Sequence, residues 1–188
     1  MRTAKKKSFT FKIVTAGAGG VGKTTLLHRY VEGKFLVDTK MTIGVGFYLK
    51  KVNPENIEEL PPNNTYQLQL WDFGGEYQFR PFLDSYARGA MGAILMFDLT
   101  RMVTLDNIDQ WVKIVKKDNK EIPIIFVGAK LDLKEKISVK DDHVEEVMDN
   151  YNFIEYVKVS SKTGENVDYV FRRITEAVAN HYSHNKKV

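Results

Sequence analysis

The chain has 188 residues, of which 43% are apolar and 28% charged, and its net charge is +4. That length suits one domain whose core is large enough to stand without disulfides or structural metal. The absence of cysteine excludes disulfides, thiolate metal sites, a cysteine nucleophile, and prenyl or palmitoyl attachment to this stretch.

Lys5, Lys6 and Lys7 form a basic tail over residues 1–8, and Lys186 and Lys187 lie in a second tail over residues 183–188. The plain reading is two solvated tails. The sharper one is a weak electrostatic hold on acidic lipid, about 1 kcal/mol per basic residue. Five lysines on two separate tails do not make a nucleic-acid groove. Gly does not follow Met1, so the myristoylation pattern is missing, and no apolar run approaches the ~20 residues needed to cross a bilayer. The expectation is a soluble, cytoplasmic protein with no lipid anchor, at most peripheral membrane contact, and no nucleic-acid partner.

From residue 9 the chain alternates short apolar runs with longer helical patterns, which predicts βαβ units and a mostly parallel sheet. Phe9–Ala16 alternates as a strand and Thr24–Val31 has a helical pattern. Val45–Val52 and Thr65–Asp72 read as a hairpin. Its connection, which contains Pro54, Pro61, Pro62, Asn63 and Asn64, is long for a hairpin and predicts mobility. Gly92–Asp98 is a continuous apolar run, as in a strand buried on both faces. Thr104–Lys117 places Leu105, Ile108, Val112 and Val115 on one helical stripe, and Ile122–Ala129 follows as another buried strand. Ser138 with Asp141 resembles a capping box before a helix that turns Val144, Val147 and Met148 inward. Phe153–Val159 is the last strand, and Asn166 is placed to cap a final helix carrying Val167, Val170, Phe171, Ile174 and Val178. The sum is a single α/β domain over residues 9–182, about six strands flanked by about five helices, with ligands expected at the carboxyl ends of the strands.

Gly17-Ala18-Gly19-Gly20-Val21-Gly22-Lys23-Thr24 fits the phosphate-loop pattern G-x-x-x-x-G-K-[ST]. Backbone N–H groups must turn inward to hold phosphate oxygens, and glycine permits the required angles and close approach. Lys23 supplies a point charge to the β- and γ-phosphates, the Thr24 hydroxyl supplies a Mg²⁺ ligand, and the following helix adds partial positive charge at its N-terminus. The alternative, a glycine-rich turn with a surface lysine, does not require a strand before the motif and a helix after it.

Ala129-Lys130-Leu131-Asp132 stands at the end of a predicted strand. A carboxylate there can accept hydrogen bonds from the guanine N1–H and 2-amino group, which adenine cannot offer. A site built on such bonds rejects the analogue that lacks them. The Lys130 stem can lie over the base.

At these residues the chain resembles the Ras superfamily of small GTPases, from roughly Phe11 to Tyr182. Thr42-Ile43-Gly44-Val45 looks like a Rab-type first switch, and Trp71-Asp72-Phe73-Gly74-Gly75-Glu76 like the second. Tyr86-Ala87-Arg88-Gly89-Ala90 is also Rab-like. Met96–Arg101, followed by Thr104, Leu105 and Trp111, is similar to the septation-initiation branch of Rab-like proteins. Ser160-Ser161-Lys162 looks like the family's last guanine motif. The resemblance implies a GTP/GDP-binding switch with Mg²⁺, its switch regions around residues 35–44 and 72–82. It also implies the nucleotide-binding set Gly19, Gly20, Val21, Gly22, Lys23, Thr24, Thr25, Phe35, Thr42, Gly75, Lys130, Asp132, Leu133, Ser160, Ser161 and Lys162. Thr24, Thr42 and, through a water, Asp72 would hold the metal. Phe35 would pack edge-on against guanine, though it can also be a core residue. Effectors, exchange factors and GTPase-activating proteins would dock on the switches of a monomer.

Three departures from the family pattern bear on catalysis, for which Glu76, Gly75, Lys23 and Thr42 are the candidates. The water-positioning glutamine falls on Glu76. A carboxylate only accepts hydrogen bonds and adds negative charge beside the γ-phosphate, which predicts slow hydrolysis. Alternatively Glu76 points to solvent and a partner supplies the catalytic groups. The base-binding asparagine falls on Ala129, costing one or two hydrogen bonds and roughly 1–3 kcal/mol of nucleotide holding. Phe73-Gly74 replaces a small Thr-Ala pair, and Phe73 is either a buried prop or an exposed effector contact. A regulated GTPase is therefore the leading reading. A nucleotide-dependent binding module with negligible hydrolysis is the second, and a phosphate-loop kinase or ATPase, disfavoured by Asp132 and Ser161, is the third.

Overall fold

A computed structural model describes residues 6–37, 41–57 and 60–184, except for the side chains of residues 56, 183 and 184. Lys5, Lys186 and Lys187 of the expected tails lie outside the described residues. So do residues 38–40 of the first expected switch and 58–59 of the long connection.

Six strands form one sheet in the order β2-β3-β1-β4-β5-β6. They are β1 (Ser8–Gly17), β2 (Val45–Val52), β3 (Thr65–Phe73), β4 (Gly92–Asp98), β5 (Ile124–Ala129) and β6 (Glu155–Lys158). β2 and β3 are antiparallel, as the hairpin expectation holds, and every other pair is parallel. β4 and β5 are buried at every residue, which is why their sequences run apolar without alternation.

The helices are α1 (Lys23–Glu32), α2 (Arg80–Ala87), α3 (Val103–Asp106), α4 (Ile108–Val115), α5 (Asp141–Tyr151) and α6 (Val167–His184). α1 and α6 cover one face of the sheet, where Leu26, Leu27, Val170, Phe171 and Ile174 pack on Ile13, Leu68, Ile94 and Val127. The other face packs Leu83, Leu105, Ile108, Trp111 and Val144 against Val14, Leu95, Phe97 and Phe126. No helix among the described residues is long and apolar enough to cross a membrane.

Three local expectations are corrected by tertiary contacts. The helical stripe over 104–117 is broken between α3 and α4, where the Asn107 amide donates to the Val103 carbonyl at 2.8 Å and competes with the helical ladder. Ser138 does not cap α5, whose cap residue is Lys140. Instead the Ser138 and Val139 amides both donate to the Leu99 carbonyl, at 3.0 and 3.1 Å, docking that segment on the loop after β4. Asn166 sits at φ 59° and gives its side-chain amide to Lys158 O at 2.8 Å, so it does not cap α6 through its side chain. The connection after β2 places Ile57 and Leu60 in the core beside α1 and α6.

The parallel register brings the carboxyl ends of β1, β4 and β5 to one edge, with the end of β3 beside them. Gly17 closes β1 at φ 147°, where a Cβ would strike the Met96 carbonyl. The chain leaves the sheet there through Gly20 and Gly22, both with left-handed φ, into α1.

Candidate functional site

Lys23, at the first position of α1, is only 5% exposed. Its ammonium turns back into the loop and donates to Gly17 O at 2.7 Å and Ala18 O at 2.9 Å. Burial pulls its pKa down from 10.5 to about 8, a fall that Asp72 opposes and Arg101 assists. The loop encloses a small cavity of about 70 Å³ lined by Gly19, Gly20, Gly22, Lys23, Thr24, Thr25, Met41, Thr42 and Gly75.

Three oxygen-bearing side chains from three segments meet beside it. Thr24 Oγ1 lies 2.6 Å from Thr42 Oγ1 and donates to Asp72 Oδ2 at 2.5 Å. Thr42 Oγ1 lies 3.2 Å from the same carboxylate oxygen. Asp72 is fully buried, and burial pushes its carboxyl above the ordinary carboxylate range. Its Oδ1 has no hydrogen-bond partner among the described residues. A buried acceptor left in that state is costly, and a hard divalent cation with oxygen ligands is the chemistry that relieves it. The donor set thus fits Mg²⁺.

The segment after β3 closes on this site. Gly74 donates its amide to Gly44 O at 2.8 Å, and a Cβ there would lie 2.7 Å from Thr42 O. A Cβ on Gly75 would lie 2.5 Å from Gly19 Cα and 2.6 Å from Ala18 C. Glycines at both positions let the two segments meet backbone to backbone. Phe73 is fully buried against Leu83 and its neighbours, so it is the internal prop rather than a partner contact. Glu76 lines neither cavity at this edge of the sheet, and its carboxylate accepts from the Gln78 amide at 2.8 Å.

A larger cleft of about 510 Å³ adjoins the loop and shares Gly20, Gly22 and Thr25 with the small cavity. Val21, Phe35, Ala129, Lys130, Asp132, Leu133, Ser161 and Lys162 complete most of its wall. Phe35 is partly exposed on that wall rather than in the core. Ser160 does not line the cleft. It is fully buried and donates from Oγ to Asp132 Oδ1 at 2.7 Å, while accepting the Thr163 amide at 3.1 Å. Its part is to orient Asp132.

The sequence reading did not single out Asp98 and Arg101 as site residues. Asp98 ends β4 beside Ala129 and is fully buried. It accepts Lys130 Nζ at 2.7 Å and Arg101 Nε at 2.8 Å. Burial acts to raise its pKa, but the bonds from Lys130, Thr100 and Arg101 outweigh it and hold the carboxyl below its ordinary value. A charged residue ending an otherwise apolar strand was the available signal.

Beside the closing segments, Phe47, Trp71 and Tyr86 form a run of rings, with centroids 5.2 and 6.0 Å apart. Met41, Ile43, Tyr77 and Phe82 are exposed. Exposed aromatic and aliphatic side chains of this kind suit protein partners.

The Ras family profile matches residues 12–180. The Ras-related protein YPT3 of Nicotiana plumbaginifolia is 31% identical over 96% of this chain and 78% of its own length. The Ras-related protein rab-11.1 of Caenorhabditis elegans is 32% identical over 88% of this chain and 75% of its own. The Ras-related protein Rab-11A of Dictyostelium discoideum is 30% identical over 88% and 74%.

Proposed function

The chain belongs to the Ras family of small GTPases and is Rab-like; from that premise we propose that it is a Mg²⁺-dependent guanine-nucleotide switch that hydrolyses GTP slowly without a partner. The observation that carries the metal and γ-phosphate part is the convergence of Thr24, Thr42 and Asp72 around one buried, unsatisfied carboxylate oxygen.

In this reading the phosphate loop presents its N–H groups to the phosphate chain, and Lys23 turns its ammonium from the Gly17 and Ala18 carbonyls toward the β- and γ-phosphates. Thr24, Thr42 and Asp72 would hold Mg²⁺, which would neutralise charge on the phosphates. Guanosine occupies the larger cleft. Asp132, steadied by Ser160, accepts from the base edge. Phe35 packs at the base's edge, while Lys130, Leu133, Ser161 and Lys162 border it. Thr42 and Gly75 report the γ-phosphate, because both lie on segments that meet at the phosphate loop. Loss of that phosphate frees both segments. Effectors, exchange factors and activating proteins read the exposed surface around Phe47, Trp71 and Tyr86. The domain acts as a monomer in the cytoplasm.

Glu76 favours a second reading. Its carboxylate is turned to Gln78 and lines neither cavity. A protein that binds GTP and GDP with negligible hydrolysis would have the same placement. Single-turnover GTP hydrolysis by the Mg²⁺-loaded protein, beside Glu76→Gln, separates the two. Measurable turnover, faster in the variant, supports the slow switch. Equal, background-level rates with intact binding support the binding module. Failure to bind either guanine nucleotide overturns both.

A further inference from the structure

Residue 129 lines the larger cleft of the proposed nucleotide site, and its side chain is a methyl group. Ala129 is 3% exposed and can make no side-chain hydrogen bond to either loop. The two loops are nevertheless joined, by a route one strand away. Asp98 is the register partner of Ala129 on β4. Its Oδ2 accepts Lys130 Nζ at 2.7 Å on the base side and Arg101 Nε at 2.8 Å on the phosphate side. Arg101 then spends a second guanidinium nitrogen on Gly19 O, at 3.0 Å. A Cβ on Gly20 would meet that same nitrogen at 3.5 Å.

The parts of this chain differ from an ordinary surface ion pair. Asp98 is fully buried, and its other oxygen is engaged by the Thr100 amide at 2.9 Å and the Thr100 hydroxyl at 2.7 Å. Its position is therefore set before any nucleotide arrives. Lys130 sits at φ 69°, a backbone angle uncommon for a residue with a side chain, and Asp98 holds it there two residues ahead of Asp132. The guanidinium fork bonds a carboxylate and a carbonyl at once, which an ammonium on a flexible stem does less well.

We infer that Arg101, acting through Asp98, is a positioning residue that clasps the phosphate loop to the base-recognising loop and so sets the residence time of the nucleotide, a tie that Ala129 cannot make. This rests on the guanine-nucleotide reading above. Arg101 acts on the direction of the Gly19 peptide, and through it on the loop amides. Its removal leaves Asp98 still paired with Lys130, so the fold keeps a compensated carboxylate.

The test is release of a fluorescent GDP analogue from the Mg²⁺-loaded full chain, chased with excess GDP. Arg101→Ala releases it roughly tenfold faster, the equivalent of one charge-assisted hydrogen bond. Arg101→Lys, which keeps the charge and is the more conservative fold, releases it at least about threefold faster because it cannot serve both oxygens. Ala129→Asn introduces an amide into the cleft wall shared with Gly20 and Val21. An asparagine there can also bond the base directly, so it is compared in both backgrounds: alone it slows release by no more than about twofold, whereas in the Arg101→Ala background it returns the rate to within about threefold of the parent, a non-additivity that a direct bond to the base would not show. Parent-like release from both Arg101 variants overturns the inference, as does acceleration that Ala129→Asn leaves unchanged. If the parent protein binds no guanine nucleotide, the functional reading itself fails, and that result is visible before any variant is compared.

Discussion

Gly75→Ala isolates the closure step, because the glycine is needed there for space alone. Gly75 is not in the left-handed region, so alanine can adopt its backbone angles. The added methyl, however, would lie 2.5 Å from Gly19 Cα and 2.6 Å from Ala18 C, where real Cβ atoms essentially never come within 3.0 Å. Gly19 N lies closer still to that methyl, so the two backbones must separate by more than 0.5 Å, and neither is the far end of a flexible side chain. Overpacking of this kind costs roughly 1–3 kcal/mol. The cost falls on the closed arrangement alone, so it is expressed as a loss of about 5–150-fold in affinity for a ligand that requires closure. Titration of the variant with a non-hydrolysable GTP analogue and with GDP, both in Mg²⁺, measures it. GDP affinity stays within about threefold of the parent, as expected for a ligand that does not need closure, while the analogue weakens by the stated range. An unchanged ratio of the two affinities would refute the view that Gly75 closes on the phosphate loop when γ-phosphate is bound.

Three further outcomes follow from the same geometry. Ser160→Ala removes the bond that steadies Asp132. A hydrogen bond to a charged group is worth about 1.5–3 kcal/mol, so GDP affinity falls by roughly ten- to a hundredfold with little change in melting temperature, checked by fluorescence titration and thermal denaturation. Phe73→Ala empties a fully buried ring site and costs about 3–5 kcal/mol of stability, read from urea unfolding of the nucleotide-free protein; a loss below about 1 kcal/mol would mean Phe73 is not the prop described. The third concerns pH. Burial depresses the free-state pKa of Lys23 to about 8, so the fold bears a cost for the charged form that fades as pH rises from there toward 10.5. Phosphate favours the charged form and raises that pKa on binding. Nucleotide affinity is accordingly flat below pH 8 and falls above it, with proton uptake on binding. Calorimetry at pH 9 in buffers of different ionisation enthalpy detects the uptake, which at pH 7 is about tenfold smaller.

The phosphate loop was legible in the sequence because its chemistry is local. Consecutive glycines, a lysine and a threonine must follow one another for backbone amides to gather around an anion, and the structure places them between β1 and α1 as the spacing required. The same holds for β4 and β5, whose apolar runs record burial on both faces. Features that depend on two distant segments were not legible. Whether Phe73 faces inward, whether Ser138 caps a helix, and whether Ile57 and Leu60 reach the core were each decided by what packs alongside.

Ala129 shows that division most sharply. Alone in the sequence it records only a lost hydrogen bond. The tertiary structure supplies the neighbour, because the parallel register of β4 and β5 sets Asp98 beside it, and Asp98 joins Arg101 to Lys130. Sequence by itself determined which chemical groups the chain carries and the order of its elements, since backbone propensity and periodicity act over a few residues. Only the sheet decided which of those groups meet, because strand register is a property of pairs of segments far apart in the chain.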